Sequence, residues 1–286
     1  MVDMWIRYAL CLAALMAFMP GCGGSKEPSS PAATALEQAR EAAEPLKKYA
    51  FELSMDQKLG GAADPAQNVK VVMKGIVERE PLKIDQTIDT NIDGEASNLR
   101  AVIVPEGYYM YLPDYEEWSK LSADVAAENI ATLSDFQVDP AQAMADAQTL
   151  AGEASVEEAD GKLVLRYDGT GSEAKAYALK LLESTLGLSG VDKRTQDSLQ
   201  VSRLKLEMTL DAAKHWPLAY KVESELSIEL EAGKATTVGM NVSGGYSQFG
   251  ESAAVVLPDE AKGALSPEEI DKQLGDDPLG LKKGGQ

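Results

Sequence analysis

Three stretches in the last third of the chain alternate between large apolar and polar side chains. From Trp216 to Leu230 the large apolar residues fall on even positions, and charged residues lie between them. Successive side chains of a β-strand point to opposite faces, so this pattern predicts a strand with one buried face and one solvated face. Residues 204–210 and 238–246 repeat the pattern. Strands of about 10 to 15 residues are about twice the usual length and require a large sheet.

The same alternation occurs earlier in the chain. From Tyr49 to Met55 it predicts a first strand. The pairs Asp93-Gly94 and Asp160-Gly161 are typical of tight hairpin turns between strands. Further strands are predicted at 69–77, 82–92, 99–104, 108–112, 116–121 and 163–167.

Helices interrupt the strands. The capping box from Thr34 to Glu37 marks one helix start, and Asp139, followed by proline, is typical of an N-cap. The other helices are predicted from the 3.6-residue period of their apolar side chains. Helices are therefore expected from about Ala35, around 126–133, from Pro140 and over 172–186.

Together these elements predict an α+β fold. Its centre is a single large antiparallel β-sheet, curved into a half-barrel, with helices covering the concave face. No break in composition divides the body, so residues 34–258 are expected to form one domain. Residues 259–286 are charged and contain many Gly and Pro residues, which is typical of a disordered, acidic tail.

The N-terminus resembles a bacterial lipoprotein signal. In residues 1–21, Arg7 precedes an apolar run of about a dozen residues, too short to span a bilayer stably. Gly21 before Cys22 resembles a lipobox, which implies cleavage before Cys22 and attachment of a diacylglyceryl group, with acyl chains such as palmitate, to its thiol. Residues 22–33 would then be a flexible tether. The alternative is an ordinary secretory signal, or an uncleaved anchor, with Cys22 incidental.

Composition excludes several classes of function. The 27 Lys and Arg residues against 46 Asp and Glu give a net charge of −19, which argues against nucleic acid as a partner. Two Cys and one His residue leave little material for a metal centre or an activated nucleophile. We therefore expect no cofactor, no metal and no catalytic residues.

Two local patterns suggest chemistry at first sight. Asp89, Asn91 and Asp93 match the first half of a calcium-binding loop, but Arg100 occupies the position that needs a bidentate glutamate. A hairpin turn with solvated acids is the better interpretation. His215, the only histidine, lies before Trp216 and is expected in a turn.

The order of these elements resembles that in the LolA/LolB and LppX/LprG superfamily of lipid and lipoprotein carriers. The resemblance is closer to the uncharacterised lipoproteins of Gram-positive bacteria that share this half-barrel. The resemblance rests on the lipobox, the opening helix, the strand entered at Tyr49, the segment 108–113, and Trp118 in the strand that follows. It covers about residues 34–258. It implies a hydrophobic cavity that holds acyl chains, and transfer without catalysis.

The alternation of apolar and polar residues predicts which side chains would face such a cavity. Each has core packing as its alternative role, and methionine is common among them because its flexible side chain adapts to apolar ligands. The candidates are Phe51, Leu53, Met55, Met73, Ile88, Met110, Trp118, Met208, Tyr220 and Met240.

The sequence thus predicts a monomeric, lipid-anchored binding protein on the extracytoplasmic face of the cell membrane of a Gram-positive bacterium. Its ligand would be a lipid, an acyl chain or lipidated cargo, admitted when helices near 121–150 and 172–187 part. The alternative is a ligand-free accessory module for a membrane protein, with an exposed aromatic patch at Tyr108, Tyr109 and Tyr111. A hydrolase on the same scaffold is a third hypothesis.

Overall fold

The computed structural model describes residues 30–61, 66–186 and 192–276. The predicted signal peptide, Cys22 and most of the predicted tether lie outside these residues. The strands are β1 Lys48–Gly61, β2 Gln67–Arg79, β3 Leu82–Ile92, β4 Glu95–Val104, β5 Gly107–Leu112, β6 Glu117–Lys120, β7 Ser155–Ala159, β8 Lys162–Gly169, β9 Gln200–Asp211, β10 Pro217–Glu231 and β11 Lys234–Ser247. The helices are α1 Pro31–Ala43, α2 Ala123–Ala131, α3 Asp135–Val138, α4 Pro140–Ala147, α5 Ser172–Leu186, α6 Lys193–Ser198 and α7 Pro267–Asp276.

All eleven strands form one open, curved sheet in the order β6-β5-β4-β3-β2-β1-β11-β10-β9-β8-β7. Each neighbouring pair is antiparallel, and β1 pairs with β11 in the middle. The sheet therefore consists of an N-terminal half, β1–β6, and a C-terminal half, β7–β11. The predicted α+β fold with one large curved antiparallel sheet is confirmed.

The strand register places the predicted apolar rows on one face. Leu53 pairs with Met73, which pairs with Ile88, so these side chains lie side by side across three strands. On the other half, Tyr220 pairs with Met208. Helices α1, α3, α4 and α5 cover this concave face, and their apolar side chains join those of the strands in one core.

Helix α1 begins earlier than predicted. Ser30 is its N-cap and accepts a hydrogen bond from the Ala33 amide, and Pro31 occupies the first helical position. A Ser-Pro pair is itself an N-terminal signal. The prediction of a start near Ala35 was therefore wrong by about one turn, and the observed start at Pro31 lies inside the predicted tether. The predicted cap of α4 is confirmed, because the Asp139 carboxylate accepts from the Gln142 amide at 3.2 Å.

The C-terminal segment, residues 252–276, packs against the convex face of the N-terminal half. Val255, Leu257, Ala261 and Ala264 cover an apolar patch, and the segment includes a 3₁₀ turn at Asp259–Gly263 and helix α7. The convex patch beneath it consists of Ile76, Val102, Val104, Tyr109 and Trp118. The prediction that disorder begins at residue 259 was therefore wrong up to residue 276, because the segment contains apolar side chains that match this patch. Residues 277–286 lie outside the described part of the chain.

Candidate functional site

A cavity of about 190 Å³ lies between the concave face of the N-terminal half and the segment from α2 to α3. Its walls are mainly apolar, and the polar residues among them are uncharged. Strands β1, β2, β3, β5 and β11 supply one wall, and residues 129–137 supply the other. The lining side chains are Leu53, Met55, Met73, Gln86, Ile88, Tyr108, Asn129, Thr132, Leu133, Ser134, Gln137 and Val242.

Helix α3 is fixed to the sheet by buried aromatic residues. The hydroxyl of Tyr49 donates to the Gln137 carbonyl at 3.1 Å, and that of Tyr246 donates to the Phe136 carbonyl at 2.7 Å. The Phe136 ring stacks on Tyr220, with 4.3 Å between the ring centroids. Burial raises the pKa of Tyr49 and of Tyr246, so both hydroxyls stay protonated and keep donating.

Helix α2 is attached much more weakly. None of its nine residues, all of which the structure describes, is buried, and Val125 is 43% exposed. Ala126 and Ile130 pack against the core only in part. Local caps hold the helix together, because the Ser122 hydroxyl accepts from the Val125 amide at its start. Since Asn129 at the C-terminal end of α2 and Thr132 just after it line the cavity, we call α2 the lid.

Two buried carboxamides lie at the junction of α3 and the cavity. Gln86 is 2% exposed, Gln137 is 1% exposed, and the Gln137 Nε2 donates to Gln86 Oε1. Gly75, on β2, lies opposite Gln86 and leaves space for this pair because it has no side chain. A Cβ at Gly75 would lie 2.8 Å from the Gln86 Cβ and 2.4 Å from the Asp85 carbonyl oxygen, closer than atoms normally approach.

One titratable group lies beside the cavity wall. Asp135 begins α3, and burial, followed by the nearby Asp146 and Asp139 carboxylates, raises its pKa to about 6. Its neighbourhood also includes Tyr177 and Lys180 from α5. Lys180 itself forms a 2.6 Å ion pair with Asp146.

The structure separates the ten nominated side chains into groups. Leu53, Met55, Met73 and Ile88 line the cavity. Met110 is half-buried on the same face, beside Ala101. The others on the concave face are buried in the packed core: Phe51, Met208, Tyr220 and Met240.

Trp118 was wrongly assigned to the concave face. It pairs with Tyr111, and Tyr111 pairs with Arg100, which places all three on the convex face. The indole lies 5.4 Å from the Tyr111 ring and 5.7 Å from the Arg100 guanidinium carbon. A four-residue edge strand offers too few alternations to show which face is buried.

The predicted exposed patch of tyrosines was also wrong. Tyr108 lines the cavity and is buried, while Tyr109 lies beneath the C-terminal segment on the convex face. Tyr111 is half-buried beside Trp118. Adjacent residues of a strand face opposite sides, so this run cannot form a single surface.

The polar lining of the cavity was not predicted from the sequence. Gln86 occupies an inward position between Ile84 and Ile88, and a polar residue within an apolar row was the signal that would have identified it. Gln137 follows Phe136 in a four-residue helix, which is too short for any periodic pattern to show its burial.

The two local patterns have ordinary structural roles. The Asp93 carboxylate accepts from the Asn68 amide, and the Asn91 side chain accepts from the Gly94 amide, as in a polar hairpin. His215 has a φ of 56° in the turn before β10, and its amide donates to the Asp211 carbonyl. Among the described residues, no cluster of three His, Cys, Asp or Glu side chains is arranged to hold a metal ion. No described helix is both long enough and apolar enough to span a membrane.

Several solved structures match this chain over most of its length at low sequence identity. A LolA superfamily protein from Nitrosomonas europaea is 11% identical, with a TM-score of 0.23, covering 75% of this chain and 92% of its own. A DUF1329 family protein from Desulfovibrio piger is 11% identical, with a TM-score of 0.24 and coverages of 77% and 92%. An outer membrane lipoprotein-sorting protein domain from Vibrio parahaemolyticus is 14% identical, with a TM-score of 0.22 and coverages of 73% and 91%.

These structures include the LolA group that the sequence resembles. No curated protein matches the chain. A family model does match, and it covers residues 32–265, which include all eleven strands and the C-terminal segment as far as residue 265. The chain belongs to the family of unknown function DUF6612.

Proposed function

We propose that this chain is a binding protein without catalytic activity that holds an apolar ligand, such as a lipid or an acyl chain, in the cavity beneath the lid. The observation that carries the proposal is the combination of an apolar cavity with a covering helix that has no buried residue. A helix that contributes little to the core can move at little cost in packing.

The size of the cavity indicates how the lid acts. At about 190 Å³ it is smaller than the roughly 300 to 1,000 Å³ typical of sites for drug-sized ligands. A dry cavity of about 150 Å³ accepts benzene, so the closed form has room for a short part of an acyl chain. A complete chain requires the lid to move away from the sheet. Burial of the ligand's apolar surface, at roughly 25 cal/mol per Å², supplies the driving force.

The proposal includes the cellular address predicted from the N-terminus. The signal peptide is removed, Cys22 is lipidated, and the monomeric domain is tethered to the extracytoplasmic face of a Gram-positive cell membrane. The net charge of −19 keeps the domain from lying on anionic headgroups. A metabolic label on the fatty acid, present in the natural chain and absent from a Cys22→Ser variant, is the expected result.

Native mass spectrometry of the full chain from bacterial membranes tests the ligand. We expect an added mass of a few hundred to about a thousand daltons, beyond the covalent lipid, that organic extraction removes. The Ile88→Trp variant fills the cavity from the sheet and should lose this mass. Ile92→Trp is the matched control, because Ile92 lies on the same strand and the same face but is 44% exposed and outside the cavity. Equal ligand in both variants, or none in the wild type after incubation with mixed lipids, would contradict the proposal.

A further inference from the structure

The polar residues of the cavity are all neutral amides or hydroxyls. The apolar wall is interrupted by Gln86, Gln137, Asn129, Thr132 and Ser134, and no Lys, Arg, Asp or Glu among the residues that the structure describes lines the cavity. Burial raises the pKa of Tyr108, so this phenol is also neutral at physiological pH. A charged group that entered the cavity would therefore lose its hydration without meeting an opposite charge.

The two glutamines form the most buried part of this polar lining. Their mutual hydrogen bond uses one donor and one acceptor. A carboxamide has two N–H donors and an oxygen with two lone pairs, so the pair retains further hydrogen-bonding capacity. No other side-chain hydrogen bond of Gln86 or Gln137 occurs among the residues that the structure describes. Because both residues line the cavity, a ligand is the natural partner for the remaining donors and acceptors.

The strand register sets the order of polar and apolar positions along the cavity. Gln86 faces Gly75, while Ile88, two residues further along β3, faces Met73. Leu53 continues that second row, and Met55 lies one row further again. The amide pair therefore occupies the end beneath the fixed helix α3, and the apolar wall extends away from it.

We infer that the cavity takes an uncharged amphiphile, whose hydrogen-bonding polar end meets the Gln86–Gln137 pair while its chain lies along Leu53, Met73 and Ile88. Acylglycerols have this chemistry, whereas fatty-acid anions and phospholipids do not. The inference rests on the proposed function and specifies the class of ligand for the same cavity.

Three probes with the same eight-carbon chain test it, titrated into the full-length chain at pH 8. They are 1-monooctanoylglycerol, octan-1-ol and octanoate, which is ionised at this pH. We expect octan-1-ol to bind at least about ten-fold more tightly than octanoate, because the charge has no partner in the cavity. Monooctanoylglycerol should bind about five- to ten-fold more tightly than octan-1-ol through its additional hydrogen bonds.

The double variant Gln86→Leu/Gln137→Leu separates the amides from the apolar wall. It removes both partners together, so neither amide is left unpaired, and the chain should still fold. We expect its affinity for monooctanoylglycerol to fall to that for octan-1-ol, whose own affinity should change by less than about three-fold. Gln57→Leu is the matched control, because Gln57 is a buried glutamine of the same face that does not line the cavity.

The outcomes distinguish this inference from the proposed function. Octanoate binding as tightly as octan-1-ol, or an unchanged preference for monooctanoylglycerol in the double variant, overturns the inference and leaves a binding protein. Failure of all three probes to bind the wild type overturns the proposed function together with the inference. Should the double variant not fold, the wild-type ranking still decides, because a preference for octanoate overturns the inference.

Discussion

The two halves of the sheet share one architecture but are covered differently. On the concave face of the C-terminal half, Leu204, Leu206, Met208 and Leu210 are at most 1% exposed. In the N-terminal half, Met55, Met73 and Ile88 remain half-buried around the cavity. The difference lies in the helices, because α5 contributes five or more buried side chains to the core and α2 contributes none.

The convex face shows the opposite distribution. Behind the N-terminal half, the C-terminal segment packs on Val102, Val104 and Tyr109. Behind the C-terminal half, the convex face carries ion pairs between neighbouring strands, in which Arg166 pairs with Glu157 and Glu207. The N-terminal half is thus packed on both faces, with the cavity within its concave layer, whereas the C-terminal half is packed on its concave face and carries charges on its convex face.

The largest expected effect compares two methionines. Met208→Ala in the packed half should lower the free energy of unfolding by about 2 to 5 kcal/mol, because Met208 is fully buried and its loss leaves a void. Met73→Ala should cost about 1 kcal/mol, since its side chain already borders a cavity. Urea unfolding measures both. Equal losses would show that the two halves are packed alike.

The attachment of α3 provides a second comparison between residues of one type. Tyr246→Phe removes the hydroxyl that donates to the buried Phe136 carbonyl, and we expect a loss of about 1 to 3 kcal/mol. The Tyr220 hydroxyl is buried and has no hydrogen-bond partner among the described residues, so Tyr220→Phe should be neutral or stabilising. Urea unfolding and hydrogen exchange of α3 measure the difference. A larger loss for Tyr220→Phe would contradict the assigned role of Tyr246.

Asp135 makes the same region sensitive to pH. Its folded pKa of about 6 is above the ordinary value of 3.8, so the folded state holds its proton more tightly than the unfolded state does. Its contribution to stability is therefore most favourable below about pH 4 and is lost as the pH rises to about 6.

Asp135→Asn removes this penalty. We expect the variant to be more stable than the wild type by about 1 to 2 kcal/mol at pH 7.5, with allowance for its partial exposure, and equal to it at pH 4. Urea unfolding at both pH values provides the measurement. Asp124→Asn on the exposed surface of the lid is the control. A gain that is the same at both pH values would exclude titration of Asp135 as its cause.

The sequence predicted the sheet because long strands repeat their signal many times. In β10, every even position from Tyr220 to Ile228 is buried. The same regularity identified Leu53, Met73 and Ile88 as candidates for the inward face, and the strand register shows that they are neighbours. Trp118 was assigned to the wrong face because β6 has only four residues. The convex face was expected to be polar, but around Trp118 it carries the apolar patch that the C-terminal segment covers. Alternation also shows which face of a strand is inward, but it does not show how much of that face a helix covers. For this reason the sequence did not distinguish Met208, in the packed core, from Met73, at the cavity.

The smallest expected effect concerns the segment behind the N-terminal half. Glu269 accepts from the Ser266 amide and forms a 2.9 Å ion pair with Lys120. The hydrogen bond from the Ser266 amide, followed by the contact with Lys120, lowers the pKa of Glu269. The stabilisation from these contacts is therefore present above the ordinary carboxyl pKa and is lost as the pH falls through the lowered pKa. Glu269→Gln should accelerate hydrogen exchange in residues 252–276 on the order of two- to five-fold at pH 7, and should have a smaller effect at pH 3.

The position of that acceleration tests whether the back of the sheet supports the cavity half. Opening of the C-terminal segment exposes Val102 and Tyr109, so exchange in β4 and β5 should rise with it, while exchange in β9 should not. Glu207→Gln, which removes one of the two carboxylate partners of Arg166 behind the packed half, should leave exchange in residues 252–276 unchanged. If β4, β5 and β9 respond alike to Glu269→Gln, the two halves open as one unit, and the cavity depends on the whole sheet and not on the packing behind it.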